Sequence, residues 1–282
     1  MSVKIICDSA CDMTRAEAAE EDVILLPLKT NIDGKEYRDG IDIDGVEFYK
    51  HLAESKELPT TSQIGPAEFL NAYEEAGKEN EIVVISMSGK LSGTAQSAKI
   101  AAMDFDGQVY CVDSLNVTAG ERVLLEYALR LRDEGKSGKE IAEEIEKAKD
   151  KVCIVARVDT LEYLQKGGRL GKFAAVAGTV LNVKPVLGND NGEIKVLGKA
   201  RGVKQSNNLL TETIQKKGGI NFSMPVMLAY SGLDKSLLDA YIECSRNIWE
   251  GNIDKLPTCI MGSTIGTHAG PGAVAVAFFA NE

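Results

Sequence analysis

The sequence is poor in the residues that hold metal ions or cross-link chains. Its 282 residues contain two histidines, His51 and His268, and no Cys-x-x-Cys pair. We therefore expect no structural zinc site. The six cysteines are scattered and several lie in apolar runs, which favours reduced thiols that pack as small hydrophobic side chains.

The sequence also lacks an excess of positive charge and a long apolar run. Lysine and arginine number 32 against 42 aspartates and glutamates, and the net charge of −10 argues against a nucleic-acid surface. The longest apolar stretch, residues 273–280, is far shorter than the roughly 20 residues of a membrane helix. Residues 1–9 predict a strand and not a secretory segment. We expect a cytoplasmic protein with no transmembrane segment and at most transient contact with a membrane surface.

The first half alternates short apolar runs with amphipathic helical patterns. Each run is rich in Val and Ile, as strands buried on both faces are. This rhythm predicts a parallel sheet with helices on both faces, an α/β/α domain over residues 1–151. An insertion at 29–43 contains Asp33-Gly34, which predicts a hairpin. The predicted strands of the sheet are residues 3–8, 23–28, 82–86 and 108–112.

The second half, residues 152–282, predicts a smaller α/β domain with a mixed sheet. Two runs around Asn191-Gly192 predict a hairpin within it. A short helix of small apolar residues is expected over 171–182. Its residues 174–181 are a candidate wall for an apolar tunnel, although ordinary helix packing explains the same composition.

Polar segments follow several predicted strands, and ligands of open α/β sheets bind beyond the carboxyl ends of the strands. The most informative segment is Ser92-Gly93-Thr94, at a predicted helix start. This segment can form an anion site without a lysine, because it offers free backbone N–H groups, the positive end of the helix dipole and two hydroxyls. For this segment alone, the favoured interpretation is that Ser92 is an ordinary helix N-cap.

His268 lies in a glycine-rich segment, residues 267–272, which predicts a turn between two strands. A histidine in such a turn is either an ordinary packed residue or a functional group. One interpretation is a hydrolase or transferase that acts on a carboxylate or phosphate substrate, with Ser92 as nucleophile and His268 as base. No aspartate is identified to orient His268, and the GxSxG and Walker A motifs are absent from the sequence.

Several short motifs make the sequence resemble the DegV family, whose members bind fatty acids. Each motif is weak alone, but their order and spacing together are specific and extend over nearly the whole chain. The motifs are Asp8-Ser9-x-x-Asp12, Thr61-Ser62-Gln63, Leu91-Ser92-Gly93-Thr94, Asp113-Ser114, Lys166-Gly167-Gly168-Arg169 and His268-x-Gly270-x-Gly272.

The resemblance implies a fatty-acid carrier that is not itself an enzyme. Thr61 and Ser92 would hydrogen-bond the carboxylate of a long-chain fatty acid, with the Gly93 amide and His268 close by. The acyl chain would lie between the two domains, and no metal or other cofactor is implied. Two further candidates for a supporting role are Ser62 and Thr94.

The resemblance also implies a protein partner. Some DegV members serve as the acyl-carrying subunit of a bacterial fatty-acid kinase, and Arg169 and Arg201 match positions that lie toward the kinase in such members. A solvated arginine without a partner is the ordinary alternative. The sequence departs from the family pattern at Met87, where a second serine is common. A second departure, Gly202-Val203-Lys204 after Arg201, weakens the inference of a partner contact.

Overall fold

The structure is a computed structural model that describes residues 2–105, 107–170 and 182–281. The helix predicted over 171–182, with its candidate tunnel wall at 174–181, lies outside the described residues except for Asn182. Within the described ranges, none of the helices combines the length and the apolar character that crossing a bilayer requires.

The first half contains the predicted parallel sheet. Its strands are β1 (Val3–Asp8), β2 (Val23–Leu26), β6 (Glu81–Ser86) and β7 (Val109–Asp113). They lie in the order β2-β1-β6-β7, and every neighbouring pair is parallel. Helices cover both faces. Because the strands are parallel, the carboxyl ends of all four lie at one edge, where ligands bind in such sheets.

The helices of this half begin at the predicted signals. Thr14 and Ser137 each accept a hydrogen bond from the backbone of a glutamate three residues later, and that glutamate bonds back, forming a capping box. Pro66 occupies the first position of its helix. The helices are α1 (Arg15–Glu20), α2 (Gly45–Glu54), α3 (Pro66–Ala76), α4 (Thr94–Ala101), α5 (Ala119–Asp133) and α6 (Gly138–Ala148).

The insertion forms a small antiparallel sheet. Asp33 and Gly34 have φ angles of 48° and 85°, which suit the predicted hairpin turn. The sequence analysis missed a third strand of this sheet, in which Thr61 lies opposite Thr30. The strands, in the spatial order β4-β3-β5, are β3 (Lys29–Ile32), β4 (Lys35–Arg38) and β5 (Thr60–Ser62).

The second half forms the expected mixed sheet, of six strands, with the predicted hairpin at Asn191-Gly192. It is the shorter half, but it carries the wider sheet. The strands are β8 (Val152–Arg157), β9 (Val183–Asp190), β10 (Glu193–Arg201), β11 (Val226–Tyr230), β12 (Thr258–Ile260) and β13 (Val274–Phe279), in the order β10-β9-β8-β13-β11-β12. The helices are α7 (Glu162–Lys166), α8 (Gly202–Lys216), α9 (Ser236–Cys244), α10 (Arg246–Trp249) and α11 (Ser263–Ala269).

Helix α5 packs between the two large sheets. It contacts β1 and β6 of the parallel sheet and β8, β11 and β13 of the mixed sheet. One hydrophobic cluster therefore extends from Ile5 through α5 to Phe279. The chain enters the mixed sheet at Val152, one residue after the predicted boundary. The division into two domains, residues 1–151 and 152–282, stays a prediction, because this packed core crosses it.

Candidate functional site

A cavity of about 380 Å³ lies between the parallel sheet and the mixed sheet. This volume falls within the range of small-molecule sites in proteins. Most of its wall is apolar, and both halves of the chain contribute to it. The apolar side chains of the wall include Leu28, Met87, Val117, Ile154, Ala156, Leu187, Met261, Ile265 and Ala275.

The cavity brings together most of the predicted carboxylate ligands. Thr61, Ser92, Gly93 and His268 all line it, although they come from three different segments of the chain. The Thr61 hydroxyl and His268 Nε2 are 2.8 Å apart and share a hydrogen bond. Ser62 also lines the cavity, at an exposed position. These contacts support a common site, and the binding role of each residue stays a prediction.

Strand β5 orients the Thr61 side chain toward the cavity. Successive side chains of a strand point to opposite faces, so Thr60 points away from the side that Thr61 occupies. Thr60 is exposed and does not line the cavity, whereas Thr61 is half-buried. The short strand therefore fixes which of two adjacent threonines can reach a ligand.

The segment before α4 differs in detail from the prediction. The helix begins at Thr94 and its N-cap is Gly93, so Ser92 is not the N-cap. Ser92 Oγ lies 2.9 Å from Thr94 Oγ1 and accepts a hydrogen bond from the Thr94 backbone N–H at 3.3 Å. Thr94 is fully buried and does not line the cavity. Its hydroxyl shares a hydrogen bond with Ser92, and the supporting role expected for Thr94 stays a prediction.

Gly93 has a steric reason to be glycine. A Cβ at this position would lie 2.1 Å from Gln63 Oε1, closer than atoms approach without a bond. The Gln63 amide donates a hydrogen bond to Ser97 Oγ on the same helix, at 3.2 Å. Gln63 therefore lies directly over the start of α4 and lines the cavity. The sequence analysis named it within a motif but did not include it among the site residues.

His268 lies in the last turn of helix α11, so the predicted turn between two strands was wrong. Two buried carboxylates from the first half fix the start of this helix. Asp39 accepts hydrogen bonds from the Ser263 backbone N–H and hydroxyl, both at 2.8 Å. Asp12 accepts one from the Gly262 N–H, also at 2.8 Å. These side chains satisfy N–H groups at the helix start that have no partner within the helix.

The His268 imidazole is electrically neutral near pH 7. Burial, and secondarily the charge of Arg169, lower its pKa to about 4. Its Nδ1 atom is buried and has no hydrogen-bond partner among the described residues. Gly167 leaves room for the imidazole ring, because a Cβ on residue 167 would lie 2.2 Å from His268 Nδ1. His268 thus presents a neutral donor or acceptor to the cavity.

The two predicted partner-contact arginines lie in different environments. Arg169 is half-buried and lines the cavity, which corrects the expectation of a solvated arginine at this position. Its guanidinium donates hydrogen bonds to the backbone carbonyls of Leu91, at 3.2 Å, and Gly167, at 2.6 Å. Arg201 is exposed, outside the cavity wall. A partner contact through either arginine stays a prediction.

The sequence analysis missed the part of the cavity wall that the β9-β10 hairpin provides. Asn189 donates hydrogen bonds to the Leu115 carbonyl, at 2.6 Å, and to Asn116 Oδ1, at 3.0 Å. The Ser88 hydroxyl donates to the Gly192 carbonyl at 2.8 Å. These bonds attach the hairpin to the loops that follow β6 and β7. The sequence carries a turn signal there, but no signal for this long-range contact.

The described residues contain no group of three or more His, Cys, Asp or Glu side chains placed to hold a metal ion. Among the described residues, the donors that line the cavity are hydroxyls, amides, a neutral imidazole and the Arg169 guanidinium, and the Glu193 carboxylate lines it as well. Such groups suit an anionic ligand with a small polar head and an apolar remainder.

Comparison with known proteins gives this arrangement a context. The family model described as an uncharacterised protein of the DegV family matches residues 2–281. A DegV domain-containing protein of Caldanaerobacter subterraneus is 37% identical over 279 residues, which cover 98% of each chain.

Two solved structures share the fold over nearly the whole chain. A fatty-acid-binding DegV family protein from Thermus thermophilus is 31% identical with a TM-score of 0.88, and the match covers 99% of this chain and 100% of that one. The fatty acid kinase B3 protein of Streptococcus pneumoniae, loaded with linoleic acid, matches with a TM-score of 0.85 over 100% of both chains. At 22% identity, that second likeness concerns the fold alone. On the family match and the curated relative, the chain belongs to the DegV family.

Proposed function

We propose that this protein binds one long-chain fatty acid in the cavity between its two domains and carries it without chemical change. The observation that carries the proposal is a cavity with an apolar wall and a cluster of neutral donors, Thr61, Ser92 and His268. The fatty-acid binding of the related Thermus thermophilus protein supports the same conclusion.

The apolar wall supplies the affinity. Each buried CH₂ group contributes roughly 0.8 kcal/mol, so a long acyl chain gains on the order of 10 kcal/mol before the costs of ordering. An unpaired buried carboxylate would forfeit much of this gain. The donors at the polar end of the cavity are therefore as necessary as the apolar wall.

The neutral histidine strengthens one of these donors. We propose that the neutral imidazole of His268 is protonated at Nε2 and donates a hydrogen bond to Thr61 Oγ1. The Thr61 hydroxyl hydrogen is then free to bond to the carboxylate. Chains of hydrogen bonds polarise one another in this way. Ser92 adds a second hydroxyl, and the amides of the first turn of α4 are unpaired within the helix. The Arg169 guanidinium adds a positive field from the same wall.

The alternative of a hydrolase or transferase finds no support in this geometry. A nucleophilic serine needs a histidine within hydrogen-bond reach, oriented by a third group. His268 bonds to Thr61 and not to Ser92, whose hydroxyl is paired with Thr94. Among the described residues, no acceptor orients His268 Nδ1.

We further propose that the protein works in the cytoplasm and presents its fatty acid to a kinase that forms an acyl phosphate. The fatty acid kinase B3 protein of Streptococcus pneumoniae, which shares this fold, suggests such a partner. The exposed Arg201 is our candidate for the contact. In an acidic protein, an exposed arginine can orient a docking partner.

Calorimetry on delipidated protein tests the binding proposal. We expect octadecanoate to bind and octadecanol, which has the same chain without the carboxylate, to bind at least tenfold more weakly, since hydrogen bonds to a charged group are worth about 1.5–3 kcal/mol. Equal binding of acid and alcohol would refute recognition through the carboxylate. Failure of folded protein to bind either would refute the proposal as a whole.

A further inference from the structure

Among the described residues of the cavity wall, one buried hydroxyl outside the carboxylate site has no hydrogen-bond partner. Thr264 lines the cavity and is 3% exposed. Its Oγ1 atom is buried and has no hydrogen-bond partner among the described residues. A buried hydroxyl without a partner is rare in proteins and costs free energy, so its presence beside a ligand cavity requires an explanation.

Thr264 lies along the path that leads away from the carboxylate site. Residues 261, 264, 265, 268 and 269 all line the cavity, and this spacing is that of one face of a helix. Thr264 precedes His268 by four residues, so the two are about one helical turn, or roughly 5–6 Å, apart. Its neighbours on this face, Met261 and Ile265, are apolar. A chain that starts at His268 and follows α11 passes Thr264 first.

Three other polar side chains of the cavity wall are already paired. Thr118 donates to Asp12 at 2.5 Å, and Asn189 and Asn116 bond to each other. The Thr264 hydroxyl, by contrast, has no partner, so it can still donate one hydrogen bond and accept others. Threonine in a helix adopts two χ1 rotamers, so its hydroxyl can turn toward the cavity, and it has no hydrogen bond to lose in doing so.

A bound water is a poor partner for this hydroxyl. A stable buried water makes two to four hydrogen bonds, and the nearest members of this helix face, Met261 and Ile265, offer apolar side chains. A plain alkyl chain is no better, because it leaves the hydroxyl unpaired. An oxygen atom on the ligand can bond to the Thr264 hydroxyl while the rest of the ligand chain keeps its apolar contacts.

We propose that Thr264 selects a fatty acid that carries a hydroxyl or oxo oxygen on its chain, a few carbons from the carboxylate. Thr264 donates a hydrogen bond to that oxygen while Thr61, Ser92 and His268 hold the head group. This inference rests on the proposed function, since it assumes a carboxylate at His268 and an acyl chain along α11.

The test compares octadecanoate with a series of hydroxyoctadecanoates in which the hydroxyl moves along the chain one carbon at a time. Delipidated wild-type protein is expected to bind one isomer, or two adjacent ones, about tenfold more tightly than octadecanoate, because the hydroxyl gains a partner. Thr264→Val is expected to abolish this preference and to bind octadecanoate at least as tightly as wild type. Thr264→Ser, which retains a hydroxyl, is expected to keep the preference.

Thr267→Val is the matched control. Thr267 lies on the same helix, is also buried and does not line the cavity, and its hydroxyl donates to the Ser263 carbonyl at 2.8 Å. This variant is expected to keep the isomer preference even if its melting temperature falls. If wild type and Thr264→Val both bind octadecanoate and show the same isomer profile, the inference about Thr264 fails and the proposed function stands. If folded wild type binds none of the acids, the proposed function fails and the inference fails with it.

Discussion

Thr61 offers the most direct mutational test of the carboxylate site. Its hydroxyl bonds to His268 Nε2 at 2.8 Å and lines the cavity. Thr61→Val keeps the branched shape of the side chain and the strand preference of the residue, and it removes only the hydroxyl. The variant therefore isolates one hydrogen-bonding group.

The expected loss follows from the groups that remain. The carboxylate loses one donor, and a hydrogen bond to a charged group is worth about 1.5–3 kcal/mol, so affinity should fall roughly ten- to hundredfold. Binding should not vanish, because Ser92 and the amides at the start of α4 remain. The folded protein loses one half-buried hydrogen bond to a neutral imidazole, so we expect the free energy of unfolding to fall by only about 0.5–1.5 kcal/mol.

Displacement of a fluorescent fatty acid from delipidated protein measures this loss, and a thermal melt checks the fold. Thr60→Val is the matched control, because Thr60 is the adjacent threonine of the same strand, is exposed and does not line the cavity. We expect this control to bind as wild type does. An affinity of Thr61→Val equal to that of wild type, in protein that the melt shows to be folded, would refute the assignment of Thr61 to the head group.

Three further predictions follow from other contacts. Gly93→Ala should weaken fatty-acid binding and displace the exposed Gln63 side chain, which costs about 0.5–1.5 kcal/mol through the lost hydrogen bond to Ser97, so it should cost no further stability in a Gln63→Ala background; a further loss in a urea melt would contradict the displacement. Burial raises the pKa of Asp12 from its ordinary 3.8 to about 8, so the folded state retains a proton that the unfolded chain releases. The melting temperature should therefore fall as the pH rises between these two values, and Asp12→Asn should flatten the dependence; an equal slope in both proteins would contradict it. Arg201→Ala should keep fatty-acid affinity but slow phosphorylation of the bound acid by an added kinase at low salt, with a smaller defect at high salt; loss of the fatty acid itself would place Arg201 in the ligand site.

Local patterns predicted most of the fold. The strands of the parallel sheet follow from apolar runs, and the starts of α1, α3 and α6 follow from Thr14, Pro66 and Ser137. Each of these signals acts over a few neighbouring residues. The interactions that determine these elements therefore lie within a few residues of each element and can be recognised from the sequence.

The errors lie where distant contacts decide the conformation. Residues 267–272 are rich in Gly, which predicted a turn at His268, yet residues 263–269 form α11, and Asp12 and Asp39 satisfy the N–H groups at its start. Strand β5 is only three residues long and exists through its pairing with β3. Neither partner is close in sequence, so local propensity could not have indicated either element.

The site residues were predicted more from the resemblance of the sequence motifs to a family than from the chemistry of the residues. Thr61, Ser92, Gly93 and His268 do meet at one cavity. The position of Arg169 in the wall, and the close approach of Gln63 to Gly93, depend on the folded geometry alone. A single sequence has no local signal for either contact.

Extraction of lipid from the protein as purified from cells tests the central proposal most directly. Mass spectrometry of the organic extract, with the amount of protein determined in parallel, gives the identity and the stoichiometry of any bound acid. An apolar cavity that is preformed seldom stays empty where lipid is available, so we predict roughly one fatty acid per folded chain. Repeated extraction of folded protein that yields no fatty acid would contradict the proposal that this DegV family member is a fatty-acid carrier.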